Sequence, residues 1–307
     1  MDKLHISVSP HIRSGNSTSS IMLEVALALL PATVMGIIFF GFSALWVILT
    51  CIISAVASEY LFNVITKRTQ TIYDFSAVVT GLLLALNLPA NTPLWQCVVG
   101  SVFAIIIVKC LFGGLGCNLV NPAITARVFM LIAFKNLATP AFPMDAVSSA
   151  TPLVQLANGE SVNLLDLFIG NIGGAIGETS ALALLIGGIY LICRRIITWH
   201  IPVCTIATVF VLSYLLDGFS FTNALSWILS GGLFIGAFFM ATDYVTSPFT
   251  RRGKALFGVG IGLITVLIRF YGIYPEGMSF AILMLNILNP YVEKVSKRKL
   301  FGGKKYD

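Results

Sequence analysis

The chain has 307 residues, of which 57% are hydrophobic and only 10% charged, with a mean hydropathy of +0.92. That composition excludes a soluble globular domain and defines an all-α polytopic membrane protein. The formal net charge of +6 does not point to nucleic acid, because the basic residues lie between apolar runs and at the C-terminus rather than on a soluble face.

Taken in order, the apolar runs predict about ten transmembrane helices. The polar start, with His5, His11 and Arg13, carries no cleavable signal and is expected to be retained. The first span covers about 21–40 and the second about 44–65, closed by Lys67 and Arg68. The third follows Asp74 and stops early at Asn87-Leu88-Pro89. The fourth covers about 94–112, with Lys109 near its end, where its side chain can snorkel to the interface. The fifth runs from about 121 to 134, and a polar stretch follows. The remaining spans fall at about 179–193, 201–216, 223–242, 255–271 and 278–291. Cys51, Cys97, Cys110, Cys117, Cys193 and Cys204 have no Cys-x-x-Cys spacing and read as small apolar residues rather than disulfide or metal ligands.

The Lys and Arg residues set an orientation. Lys3 and Arg13, Lys67 and Arg68, Arg194 and Arg195, Arg251, Arg252 and Lys254, and the tail with Lys294, Lys297, Arg298, Lys299, Lys304 and Lys305 all fall on one side if the N-terminus is cytoplasmic. Both termini are then expected inside, and the polar stretch between spans five and six outside. Three sequence echoes share an offset near 150 residues: Ala26-Leu27-Ala28-Leu29-Leu30 with Ala181-Leu182-Ala183-Leu184-Leu185, Gly81-Leu82-Leu83 with Gly232-Leu233-Phe234, and Asn121-Pro122-Ala123 with Tyr274-Pro275-Glu276. Five spans per copy make the repeat inverted. The expected division is a first membrane repeat at 1–134, an extracytoplasmic loop at 135–177 and a second repeat at 178–307. Asn87-Leu88-Pro89 and, in span eight, Asp243 with Pro248 mark broken helices, which are tolerated at membrane depth where they line protein or a wet cavity. Ordinary span-end chemistry explains the same residues.

Several polar groups are candidates for an ion path between the repeats: Glu24 just inside span one, Asn121, and Asp243. Each has a plainer reading. Glu24 can be a hydrated interfacial acid, and Asp243 can pair with Arg251 or Arg252. His200, Glu178 and Asp217 read as interfacial or span-end residues. No residue set suggests a catalytic or metal site.

Within the polar stretch, Thr151 follows Asp145-Ala146-Val147-Ser148-Ser149-Ala150 and precedes Pro152, which keeps the chain extended. On loop chemistry alone a solvated turn is the simpler account, with a covalently modified Thr as the other. Asp145, Ser148, Ala150 and Thr151 together form Asp-x-x-Ser-x-Ala-Thr, which resembles the flavinylation motif of the Rnf and Na+-translocating NADH:quinone oxidoreductase membrane complexes. The resemblance extends over almost the whole chain, through Thr80-Gly81-Leu82-Leu83-Leu84-Ala85, Gly113-Gly114-Leu115-Gly116, Asn121-Pro122-Ala123, Trp199-His200-Ile201-Pro202, Gly236-Ala237-Phe238-Phe239 and Tyr274-Pro275-Glu276-Gly277, and is nearer to the D subunits of Rnf complexes.

The resemblance implies a subunit, not catalytic alone, of an electron-transport complex that links ferredoxin and NAD to Na+ or H+ translocation across the cytoplasmic membrane. It implies FMN joined through its phosphate to Thr151 by a flavin transferase, a noncovalent riboflavin in the same subunit type, and the A, B, C, E and G subunits of the Rnf complex as partners. No Gly-rich nucleotide-binding turn and no clustered Cys suggest that NAD or iron–sulfur chemistry resides in this chain. Inverted five-span repeats with broken helices also suit a small-solute channel or transporter, and a structural subunit that has lost its flavin is the third alternative.

Overall fold

The structure is a computed structural model and describes residues 17–134, 137, 141–142, 151–160, 162–272 and 276–297. Ten predicted segments all fold as helices, one of them in two pieces. The first half comprises α1 (Thr18–Phe40), α2 (Phe42–Ile65), α3 (Ser76–Leu86), α4 (Leu94–Cys110) and α5 (Pro122–Ala133). Two short helices that hydropathy did not predict, α6 (Pro152–Ala157) and α7 (Leu164–Ile169), lie in the intervening stretch. The second half comprises α8 (Ala181–Cys193), α9 (His200–Leu216), the bent pair α10 (Phe221–Leu229) and α11 (Leu233–Met240), α12 (Arg251–Tyr271) and α13 (Gly277–Ser296). Among the described residues α1, α2 and α12 are each long and apolar enough to cross a bilayer, and α3, α4, α5, α8 and α9 are shorter apolar helices. The protein is an all-α, multi-pass membrane protein.

Helix starts follow local chemistry. Ser17, Ser180 and Thr250 accept hydrogen bonds from the N–H groups of Ser20, Ala183 and Gly253, and Asn121 caps α5 ahead of Pro122. Gly41, at φ 67°, makes the turn between α1 and α2.

The repeat is inverted in space. Along α1, Glu24 pairs with Arg194, Ala28 lies against Gly187, and Gly36 against Ile176. Rising numbers in α1 meet falling numbers in and before α8, so the two equivalent helices run antiparallel. A methyl group at Gly187 would overlap the Ala28 carbonyl oxygen, so the close approach needs glycine there. The halves also meet at their centres, where Asn87 and Asn121 both direct Nδ2 at Met240, the former at its sulfur and the latter at its carbonyl oxygen 3.1 Å away.

Both halves contain a break. α3 ends at Leu86, as Asn87-Leu88-Pro89 predicts, and its freed carbonyls are taken by the loop before α8: Gly177 N–H donates to Leu86 O at 2.7 Å and Ile176 N–H to Leu88 O at 3.0 Å. The second break is not where Asp243 and Pro248 suggest. α10 and α11 meet at 65° across Ser230-Gly231-Gly232, with Gly231 at φ 68°. Asp243 lies beyond the end of α11. From Phe103, α4 becomes π-helical, as does α11 from Gly236, and such stretches concentrate at functional sites.

Candidate functional site: a capped threonine, a cavity between the halves, and buried charge

Thr151 is the N-cap of α6. Its backbone is extended (φ −60°, ψ 153°), Pro152 occupies the first helical position, and Oγ1 accepts from Val154 N–H at 3.4 Å. The residue is half-buried. α6 is anchored by Leu153 and Leu156, which cluster with the indole of Trp227 at 2% exposure. Asp145, Ser148 and Ala150 lie outside the described residues.

A cavity opens between the halves near the start of α1 and the end of α8. It is open at its mouth and small, about 100 Å³, below the range of sites that enclose a whole cofactor-sized molecule. Apolar residues of α1, α3 and α11 form the walls, and Lys109, Asn118, Asn121, Thr242, Asp243 and Tyr244 supply the polar groups. Asn118 Oδ1 is buried without a hydrogen-bond partner among the described residues. One turn further along α3 and α11, Leu86, Phe234 and Ile235 are buried, and Gly177 packs against Leu86 and Ile235, closing the inner end.

Lys109 does not snorkel. It is 1% exposed, and Nζ donates to Glu59 Oε2 and Ser76 Oγ, both at 2.8 Å. Glu59 is 2% exposed, and Thr71 Oγ1 donates to its other oxygen at 2.6 Å. The predicted pairing of Asp243 with Arg251 or Arg252 is also absent: Asp243 instead accepts from Thr246 Oγ1 at 3.1 Å and lines the cavity. Glu24 is engaged by Arg194 through two hydrogen bonds, of 2.6 and 3.0 Å, across the α1–α8 contact. Asn121 divides its side chain between the α5 cap and Met240. Asp217 accepts from the Trp227 indole at 3.0 Å, and His200 stacks on Trp199. All six cysteines are free, three of them buried.

A second group of charges lies at the other end of the protein. Arg127 of α5 pairs with Glu276 at 2.9 Å, while Arg269 of α12 donates to the carbonyls of Trp227 and Ser230 at the α10–α11 bend. Glu178, expected at a span end, is buried at 7% exposure beside them. Glu59, Arg127 and Arg269 were missed by sequence reasoning, and Glu178 was read only as a span-end residue. An ionisable residue within or beside an apolar run was the signal that marks them.

These features define a class: an inverted-repeat membrane protein with a small cavity between its halves and a half-buried threonine capping a short helix away from it. The model of the NQR2, RnfD, RnfE family matches residues 5–302, and the chain belongs to that family. It is 48% identical over 307 residues to the D subunit of the Na(+)-translocating ferredoxin:NAD(+) oxidoreductase complex of Acetobacterium woodii, covering 97% of this chain and 95% of that one. Identity to the D subunit of the proton-translocating ferredoxin:NAD(+) oxidoreductase complex of Clostridium ljungdahlii is 41%, over 98% and 96% of the two chains. The D subunit of the ion-translocating oxidoreductase complex of Stutzerimonas stutzeri is 39% identical, over 94% and 93%.

Proposed function

We propose that this chain is the D subunit of an Rnf-type complex in the cytoplasmic membrane, relaying electrons between ferredoxin and NAD with Na+ or H+ translocation, and that it carries FMN as a phosphoester of Thr151 on an extracytoplasmic segment. The observation that carries the reading is full-length similarity to relatives bearing that name, together with a half-buried, helix-capping Thr at the place where the flavinylation motif falls.

Thr151 fits the attachment. Among the described residues its Oγ1 has only a long bond to Val154 N–H, so esterification sacrifices little, while Leu153 and Leu156 hold α6 in place beneath it. A flavin supplies a passage between one-electron and two-electron steps. The protein's part is to fix its position and exclude it from free solution.

The cavity is the candidate position for the second, noncovalent flavin, although at about 100 Å³ it would have to widen to admit the whole ring system. Its walls are apolar, the unpartnered Asn118 Oδ1 is an acceptor for a ring N–H, and Lys109, held by Glu59, places positive charge at the wall. Its closed inner end disfavours a solute channel.

The side assignment rests on charge. Arg194, Arg195, Arg251, Arg252 and Lys254 cluster at the cavity end, where Lys254 Nζ donates to Thr198. Arg269 and α6 lie about 22 Å away along α12, at 1.5 Å per residue. A basic end facing the cytoplasm puts Thr151 outside.

Peptide mass analysis of the chain purified from transferase-containing cells tests the attachment. The expected result is an FMN phosphoester on the peptide containing Thr151; an unmodified peptide throughout contradicts it.

A further inference from the structure

The four-charge group beneath α6 has an arrangement that an ordinary salt-bridge network lacks. Glu178 is 7%, Arg127 2% and Arg269 5% exposed. Among the described residues Arg127 uses only Nη2, on Glu276, and its Nε and Nη1 are buried without partners there; Arg269 gives both terminal nitrogens to backbone carbonyls, and its Nε has no partner among those residues. Glu178 has no cation within 4 Å of its carboxylate among the described residues. The guanidinium groups are held back from it by Glu276 and by the bend, and a buried carboxylate without a contacting counter-ion costs far less as the neutral acid.

The position of this carboxyl is built by both helix breaks. The N–H groups of Ile176 and Gly177 bind the carbonyls freed where α3 ends, which fixes the segment carrying Glu178. Its Oε1 in turn lies against the second break, 2.6 Å from where a methyl group on Gly232 would sit. The neighbouring Gly231 is enclosed from the other side by Leu153 of α6 and by Arg269 Nη2, with methyl positions 2.7 and 3.2 Å from them. The glycine pair therefore lies between the helix that begins at Thr151 and the Glu178 carboxyl.

We propose that Glu178 is a proton-binding site of this protein, taking up and releasing one proton at the junction of the two helix breaks. The step is a simple protonation, in which a carboxylate oxygen and a proton form the acid O–H with no change of oxidation state. The charged groups facing it are Glu276, which favours the acid, and Arg127 and Arg269, which oppose it from a distance. The residue lies outside the spanning helices, and burial, then the negative charge of Glu276, push its carboxyl up to about 8 from an ordinary 4.5. The folded protein thus holds this proton more tightly than the unfolded chain. The resulting stabilisation is complete below the unfolded value and is lost as pH rises through about 8.

Infrared difference spectroscopy of the full chain in lipid nanodiscs, titrated from roughly pH 5 to pH 10 to bracket that transition, tests the site. The expected result is a protonated-carboxyl carbonyl band that shifts in D₂O, disappears near pH 8 and is missing from Glu178→Gln. Absence of a titrating band from the wild-type chain overturns the proposal without any variant. A band that survives in Glu178→Gln, or is lost only in Glu276→Gln, overturns it too. If Glu178→Gln does not fold, carboxyl-labelled glutamate in the wild-type chain assigns the band to Glu or to Asp, and assignment to Asp overturns the proposal.

Discussion

Lys109 and Glu59 show how far a single residue can depart from its sequence context. Near the end of an apolar run, a lysine is read as reaching for water, yet this one is buried against Glu59, Ser76 and the cavity. A π-helical stretch from Phe103 adds a residue to the turn, so the face occupied by Lys109 does not follow by counting at the α-helical period. Replacing Lys109 alone with Met strands a buried carboxylate and is expected to cost about 3–5 kcal/mol, whereas pairing it with Glu59→Leu recovers most of that loss. Denaturant unfolding in detergent separates the two outcomes; a single variant no worse than the double would show that the pair is not coupled. Thr151 is the opposite case. Its motif is local in sequence, and the Thr-Pro start that reads as extended chain is the N-cap of α6. Glu178 was legible only as a charge next to an apolar run, because its neighbours Arg269 and Glu276 are about a hundred residues away along the chain.

The helices themselves were legible because each apolar run is bounded by a cap, a turn or a basic pair. What hydropathy does not specify is shape. Asp243 and Pro248 are strong punctuation and end their segment, but the bend lies at Gly231-Gly232, where small residues let Leu153, Arg269 and Glu178 approach the backbone. α6 and α7 are too short and too mixed in composition to register as apolar runs. Close packing of α1 on α8 depends on Gly187. Gly187→Ala drives its methyl group into the Ala28 carbonyl oxygen and is expected to destabilise the protein by about 1–3 kcal/mol through overpacking. Thermal unfolding in detergent reads this directly; an unchanged midpoint would mean that the two helices can separate freely at that level.

At the scale of the molecule, three weak echoes at a common offset carried the architecture, and the antiparallel contact of α1 with α8 is their physical expression. Inversion places a basic end and a cavity on one side and the Thr151 segment on the other. The orientation has its own test in a chain whose native cysteines have been replaced. Asn158→Cys, exposed just after α6, is expected to react with a membrane-impermeant thiol reagent in intact cells, and a cysteine at exposed Arg195 only after lysis. The reverse pattern would contradict the assignment of sides.

The central claim is that Thr151 carries the flavin. The most direct measurement is flavin fluorescence of the denatured chain in a gel, from cells that contain the transferase, with Thr151→Ala beside it. A fluorescent wild-type band that vanishes in the variant is predicted. A dark wild-type band, or a variant that still fluoresces, would contradict the account.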